Sequence, residues 1–313
     1  MGFLAYTFRR LIEMVPVLIG ITLAAFLLLR VMPGDPATLI LGTRGDEKDI
    51  AALQAQLGLD RPLWEQYFRF VLDVVRGSFG QSIAYGRPVA ELILQRLPAS
   101  LWLVAYSTVL AIVMAVPAAI LAALRRGGAV DLMLRGLLVF ALATPSFWLG
   151  ILLILALGLK LGLFPVSGYG EGVGSHLWHL FLPSLVIALT TAAIVMRNLR
   201  SSLLAVLNAD FIDSARAKGL SSRRVLLRHV LPNALISAVS VLGVHTSWII
   251  GGTVVIEAVF GVPGLGNLLI ASIFGRDYPL VQGLTVAFAI LVVLVNLATD
   301  LAYAAIDPRV SLD

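Results

Sequence analysis

Two carboxylates and five bases crowd the stretch 210–232, which reads Asp-Phe-Ile-Asp-Ser-Ala-Arg-Ala-Lys-Gly-Leu-Ser-Ser-Arg-Arg-Val-Leu-Leu-Arg-His-Val-Leu-Pro. Asp210 and Asp213 come first; Arg216, Lys218, Arg223, Arg224 and Arg228 follow. Charges of both signs on a short, helix-prone segment suit pairing with a protein surface rather than bond making. Ala215 and Ala217 are small, so a second surface can approach the backbone closely. Gly219 is placed to stop the helix, because a residue that tolerates φ > 0 commonly follows a last turn. The competing reading is a positive loop that only fixes orientation in a membrane.

A second set of polar residues lies in apolar surroundings. Glu257 sits near the end of a long apolar run, where a carboxylate costs a few kcal/mol unless it is paired or wetted. Arg30, at the end of the first apolar run, is one expected partner, and backbone donors are the other. The segment from Glu257 through Phe260 to Pro263-Gly264-Leu265-Gly266 is expected to close the outer side of a path, with Phe260 as an apolar plug and Trp248 on the same pathway. Asn296, Asp300, Tyr303 and Asp307 fall on one helical face. For Asp300 an ion-binding or proton-relay role competes with a structural bond to a cytoplasmic base, and the structural reading is favoured. His176 and His179 are three apart beside Trp178, but no third ligand converges on them, so no metal site is expected.

The elements that must position these groups follow from composition. The chain has 313 residues, 59% of them apolar and 13% charged, with a mean hydropathy of +0.95. Soluble domains carry about 25% charged residues. An all-α, polytopic membrane protein is expected, and the net charge of +5 is read as loop bases rather than as a nucleic-acid surface. There is no cysteine, which excludes disulfides and thiolate metal sites. No Gly-x-x-x-x-Gly-Lys-Ser/Thr occurs, so the chain is not expected to bind ATP through a P-loop.

Six runs are long enough to cross about 30 Å of hydrocarbon: 11–31, 99–124, 137–161, 177–196, 235–260 and 280–306. Pro16, Pro117, Pro145 and Pro183 within or near them predict kinks rather than breaks. The first run is longer than a signal-peptide core and no small-x-small site follows it, so an uncleaved anchor is expected. With the N-terminus in the cytoplasm, Arg9, Arg10, Arg125, Arg126, Arg135, Arg197, Arg200 and the bases of 210–232 all lie inside, and the short outer loops hold only Lys160 and Arg276. Both termini are then cytoplasmic. The expected divisions are 1–32 for the anchor and first span, 33–98 for a small, mostly helical extracytoplasmic insertion, 99–306 for the membrane core with the charged loop at 197–232, and 307–313 for a cytoplasmic tail. In the insertion, 47–57 and 62–75 read as amphipathic helices. Leu63, Tyr67, Phe70, Val71 and Val74 share one face of the second. Residues 78–87 read as a turn or small hairpin. The insertion is either a docking surface for an extracytoplasmic protein or a lid on the spans.

The pattern Asp213-Ser214-Ala215, three residues, Gly219 and, about a dozen residues on, Leu231-Pro232 resembles the Glu-Ala-Ala loop of ABC-importer permeases. Asp213 stands where that motif usually has Glu, and Ser214 where it has the first Ala. Arg228-His229 followed by Pro232-Asn233-Ala234 resembles the peptide and nickel branch. So do Met32-Pro33-Gly34-Asp35-Pro36 after the first span, Glu257 with Pro263-Gly264-Leu265-Gly266, Arg276-Asp277-Tyr278-Pro279-Leu280, and the tail Asp307-Pro308-Arg309. On these residues the chain is identified as a B-type permease subunit of a peptide/nickel-family ABC importer.

That resemblance implies a type I permease of six transmembrane helices. It implies that Asp213, Ser214, Ala215, Arg216, Lys218 and Gly219 form a coupling helix seated in a cleft of an ATPase. The implied partners are a second, C-type permease, two ABC ATPase subunits, an extracytoplasmic substrate-binding protein, the lipid bilayer and a peptide substrate, with no nucleic acid. No catalytic residue and no cofactor are expected on this chain; ATP and Mg would be bound by the ATPase subunits. The implied location is the bacterial inner membrane. Nickel chelates and glutathione are alternative cargoes. A secondary transporter driven by an ion gradient is the competing class, but no internal repeat and no charged group at midplane support it.

Overall fold

The computed structural model describes residues 3–31, 46–48, 51, 54 and 60–306. It consists of helices: α1 Phe3–Val31, α2 Leu63–Val75, α3 Val89–Leu124, α4 Ala129–Ala143, α5 Ser146–Lys160, α6 Gly172–Leu207, α7 Asp210–Ala217, α8 Ser222–Val259, α9 Leu265–Phe274 and α10 Tyr278–Ile306. Among the described residues α1, α3, α6, α8 and α10 are each long and apolar enough to cross a membrane, and the apolar pair α4 and α5, bent by 105° at a short break, adds a sixth if the two form one span.

That bend corrects the expectation of a continuous span over 137–161. Proline pushes the preceding residue out of the helical region and brings no N–H to the ladder. Thr144 is extended, at φ −89° and ψ 125°, and Pro145 follows at φ −59° and ψ 130°. The Thr144 N–H and hydroxyl both donate back to Phe140 O, at 3.1 and 2.7 Å, as the last bonds of the first half. Pro16, Pro98, Pro117 and Pro183 sit inside continuous helices. α3 already starts at Val89, so its first turns fall within the stretch 33–98.

The core is set by the α3–α6 pair. Ala111, Ala115, Ala119 and Ala122 form a buried small-residue stripe on α3, facing Ala188, Ala192, Val195 and Leu199 of α6. In lipid, helices associate through close packing of small side chains rather than through a hydrophobic driving force. A second cluster joins Leu103 of α3, Leu182 and Val186 of α6, and Ile256 and Phe260 at the end of α8. A third joins Val89 and Leu92 of α3 to Leu265 and Leu268 of α9 and Leu280 and Leu284 of α10. α10 crosses α8 where Gly243 leaves room for Thr299, and there Ser247 Oγ donates to Asn296 Oδ1 at 2.6 Å. α1 packs on α10, with Arg10 Nε 3.5 Å from Asp300 Oδ2.

Candidate functional site

α6 ends at Leu207, Ala209 is extended, and α7 begins at Asp210. Ile212 and Ala215, three apart on α7, are buried among Leu199, Leu203, Val225 and Val230. This corrects one reading: Ala215 faces the chain's own core and not a partner. The rest of the segment carries Asp210, Phe211, Asp213, Ser214, Arg216 and Lys218, all exposed. Arg216 Nη1 donates to Asp213 Oδ1 at 3.2 Å. Gly219 ends the helix at φ +76°, donating its N–H to Arg216 O at 2.9 Å, and Leu220 N–H reaches back to Ala215 O. α8 opens with exposed Arg223 and Arg224, then widens into a π-turn over Leu226–Val230, just before Pro232, which has no N–H to give. The result is a short charged helix with one exposed aromatic, fixed to the membrane core by two apolar residues. The role of Phe211 is not legible in the charge pattern; four residues before Ala215, it reads as one more apolar position on the buried side.

The loop is tied to the bundle by an ion pair absent from the sequence-based expectations. Arg200 donates to Asp131 with both ends of its fork, Nε to Oδ1 at 2.8 Å and Nη2 to Oδ2 at 2.7 Å. Gly127 N–H adds a third bond to Oδ2 at 3.0 Å. The Asp131 side chain is buried, so this bidentate pair fixes the α4 start against the α6 end that leads into α7.

At the far end of α8, Glu257 is fully buried. Its Oε1 accepts from Ser100 Oγ at 2.7 Å, and its Oε2 accepts from the N–H groups of Gly266 at 2.7 Å and Asn267 at 3.1 Å. Ser100 Oγ in turn accepts from Leu265 N–H at 2.8 Å. The carboxylate therefore caps the first turn of α9, satisfying amides a helix start leaves unpaired. Gly264 and Gly266 must be glycine for this, because a Cβ on Gly264 would collide with the carboxylate, and one on Gly266 with the Val254 backbone. Backbone donors and Ser100 thus hold Glu257, and the Arg30 side chain lies outside the described residues. At the other end of α9, Asp277 is buried and accepts from Ser82 Oγ, from Ala84 N–H at 3.0 Å, from Ile83 N–H at 3.2 Å and from Leu280 N–H at 3.3 Å. It ties the turn at 78–87 to the start of α10.

Phe260, expected as a plug, is 1% exposed and packs in the cluster of Leu103, Val186 and Val262, against the bare backbone of Gly150 on α5. It is an internal wedge. Trp248 is 74% exposed and lines a hollow of about 310 Å³ with Ile194, Val244 and His245. That hollow shares Ser240 and Val241 with an open cleft of about 670 Å³ that reaches Asn198, Asn233, Ser237 and Phe211. One groove therefore runs along the α6–α8 face from Trp248 to the α7 helix. Of the expected polar face on α10, Asn296 and Asp300 are bonded to other helices, while the Tyr303 side chain and 307–313 lie outside the described residues, as do residues 32–36. His176 Nδ1 is bonded to Tyr169 O at 2.9 Å and His179 Nδ1 to Ser175 O at 2.9 Å. Among the described residues no three His, Asp or Glu side chains converge to hold a metal.

Residues 115–312 match the family described as binding-protein-dependent transport system inner membrane component, and residues 3–104 match its N-terminal component. The chain is 40% identical over 312 residues to the oligopeptide transport system permease protein AppB of Bacillus subtilis (strain 168), covering 98% of this chain and 99% of that protein. It is 39% identical over 308 residues to the glutathione transport system permease protein GsiC of Escherichia coli (strain K12), covering 98% and 99%. The fold is similar to a chain of the MetNI methionine ABC transporter in inward-facing conformations, with a TM-score of 0.58, 19% identity, and 69% of this chain and 96% of that chain covered.

Proposed function

The chain belongs to the family of binding-protein-dependent transport system inner membrane components, a multi-pass ABC-importer permease of the peptide/nickel branch, and from that premise we propose that it is the B-type subunit of an ATP-driven importer of short peptides in the bacterial inner membrane. Its partners in this reading are a second, C-type permease, two ABC ATPase subunits that bind ATP and Mg, and an extracytoplasmic binding protein that delivers the peptide. Both termini and the α7 helix lie on the cytoplasmic side, as the arginine and lysine bias requires.

The observation that carries the reading is the geometry of α7. Ile212 and Ala215 anchor it to the same cluster as α3, α6 and α8, while Asp213, Arg216 and Lys218 face away from the chain and Phe211 lines the near end of the groove. A push on that face is transmitted to the helices that border the groove from Asn198 to Trp248. The groove is this subunit's share of the path, and its hydroxyls and amides suit a peptide backbone, which offers both donors and acceptors. ATP chemistry stays on the ATPase subunits, and this chain turns their closure into movement.

The test is uptake by the complex of the two permeases and two ATPase subunits, reconstituted in vesicles. ATP-dependent entry of a labelled dipeptide or longer peptide, stimulated by the loaded binding protein, is the expected result. Uptake driven by an ion gradient in the absence of ATP would overturn it. Parallel uptake of glutathione and of a nickel chelate decides the cargo within the same architecture.

A further inference from the structure

The helix α2 presents two apolar stripes, and α1 covers one of them. Tyr67 packs edge-on and Phe70 at a tilt against Phe26 of α1, at ring-centroid distances of 5.3 and 6.1 Å. The Tyr67 hydroxyl lies 3.0 Å from Thr22 Oγ1 and donates to Ile19 O at 3.2 Å. The second stripe, Trp64, Phe68, Leu72 and Val75, follows one helical face and is exposed, Trp64 by 71% and Phe68 by 66%.

The depth of the Tyr67 bonds decides what covers that stripe. The apolar run of α1 continues to Leu29, ahead of Arg30. At about 1.5 Å of rise per residue, Thr22 lies about 10.5 Å and Ile19 about 15 Å inside that end. Half the hydrocarbon thickness is about 15 Å. The Tyr67 hydroxyl is therefore at acyl-chain depth, where an unsatisfied polar group is costly, and α1 supplies its acceptor. α2 is drawn down with it, beside Ile19, Leu23 and Leu27, which also face outward. The polar edge of α2 is self-paired: Glu65 Oε1 meets Arg61 at 2.5 Å and Arg69 at 3.3 Å.

We propose that α2 is an interfacial membrane helix whose stripe of Trp64, Phe68, Leu72 and Val75 lies in lipid, continuous with the outward face of α1, in the leaflet on the Val31 side. A helix with one apolar and one charged edge settles at the headgroup boundary with its aromatic residues at the acyl border. The Arg61–Glu65–Arg69 edge then faces the headgroups. This part of the chain widens the membrane footprint of α1 and does not stand in water as a docking platform. The inference stands or falls independently of the transported cargo and of the partners.

The chain contains no cysteine, so single-site labelling tests this directly. Trp64→Cys, Phe68→Cys and Leu72→Cys sample the stripe, Glu65→Cys, Arg69→Cys and Asp73→Cys sample the polar edge, and Leu27→Cys is the reference on α1. Each full-length variant carries an environment-sensitive fluorophore in phosphatidylethanolamine/phosphatidylglycerol vesicles. The expected result is several-fold stronger quenching by doxyl lipid than by aqueous iodide at the stripe and at Leu27, and the reverse at the polar edge. Iodide reaching the stripe as readily as the polar edge would overturn the proposal in favour of an aqueous cap. Protection of the stripe from both quenchers, alone or after addition of the partner subunits or the binding protein, would overturn it in favour of protein contact.

Discussion

Glu257 and Ser100, 157 positions apart in the chain, are joined by a 2.7 Å hydrogen bond in a fully buried site. The same serine oxygen takes the Leu265 N–H, and the same carboxylate takes the Gly266 and Asn267 N–H groups. Two side chains therefore replace the missing ladder at the start of α9, and they lock α9 to both α3 and α8.

Removing either member leaves buried groups unpaired, which costs about 1–3 kcal/mol per group. Ser100→Ala is expected to lower the melting temperature of the purified protein, and Glu257→Ala to lower it further. Glu257→Gln brings one carbonyl oxygen and an amide that cannot accept, so it should fall between them. Equal melting temperatures for all three and the parent would show that the network does not hold α9.

The Asp131–Arg200 pair sets a second expectation. Breaking a buried pair from one side leaves an uncompensated charge and costs about 3–5 kcal/mol. Asp131 is the more buried partner, so Asp131→Ala acts mainly by stranding Arg200, which keeps some contact with solvent. The cost should lie at the lower end. Arg200→Lys keeps the charge but loses the two-pronged fit. Thermal unfolding should rank the parent above Arg200→Lys and Arg200→Lys above Asp131→Ala, and a double variant should lose less than the sum of the singles.

Local features of this protein are legible in the sequence and long-range ones are not. The positive φ of Gly219 could be read because the signal, a small-residue helix followed by glycine, is contained in one turn. The partner of Glu257 could not, since Ser100 is one hydroxyl among many until α3 and α8 are packed. Pro145 breaks its helix, with Thr144 ahead of it extended, while Pro117 sits inside a continuous helix, and a proline in the sequence looks the same in both cases. Ala215 misled for a related reason. A small residue serves a close approach from outside and a tight fit inside equally well, and only the buried neighbours Ile212 and Val225 show which it is.

That correction changes which substitutions report on coupling. Ala215→Arg forces a charge into the core and should lower stability, which hides any effect on transport. Phe211→Ala and Asp213→Lys alter the exposed face and should leave the melting temperature within about 0.5 kcal/mol of the parent in stability terms. They are expected to reduce peptide uptake and to lower the stimulation of ATP hydrolysis by loaded binding protein. Gly219→Pro demands φ near −65° where the chain holds +76°, so it should disturb the loop itself. Full uptake by both Phe211→Ala and Asp213→Lys would remove α7 from the interface with the ATPase.

Orientation has its own check. A reporter inserted at Gly170, in the loop between α5 and α6, should signal from the extracytoplasmic side, and one at Gly128, between α3 and α4, from the cytoplasm. A cytoplasmic signal at Gly170 would invert the assignment of every loop, α7 included.

Phe260 and Trp248 separate packing from path. Phe260 is buried against Gly150 and fills the space among Leu103, Val186 and Val262, so Phe260→Ala opens a cavity and should cost about 3–5 kcal/mol. Whatever protein folds should still couple ATP hydrolysis to uptake, without leak. Trp248 projects into the groove and has little packing to lose. Trp248→Ala should leave the melting temperature close to the parent and change the uptake rate or the preference between short and long peptides. The two measurements must diverge in opposite directions for the assignment to hold. A leak of small solutes in Phe260→Ala with normal stability would restore it as a gate, and unchanged uptake of every peptide in Trp248→Ala would place the path on another face of the bundle.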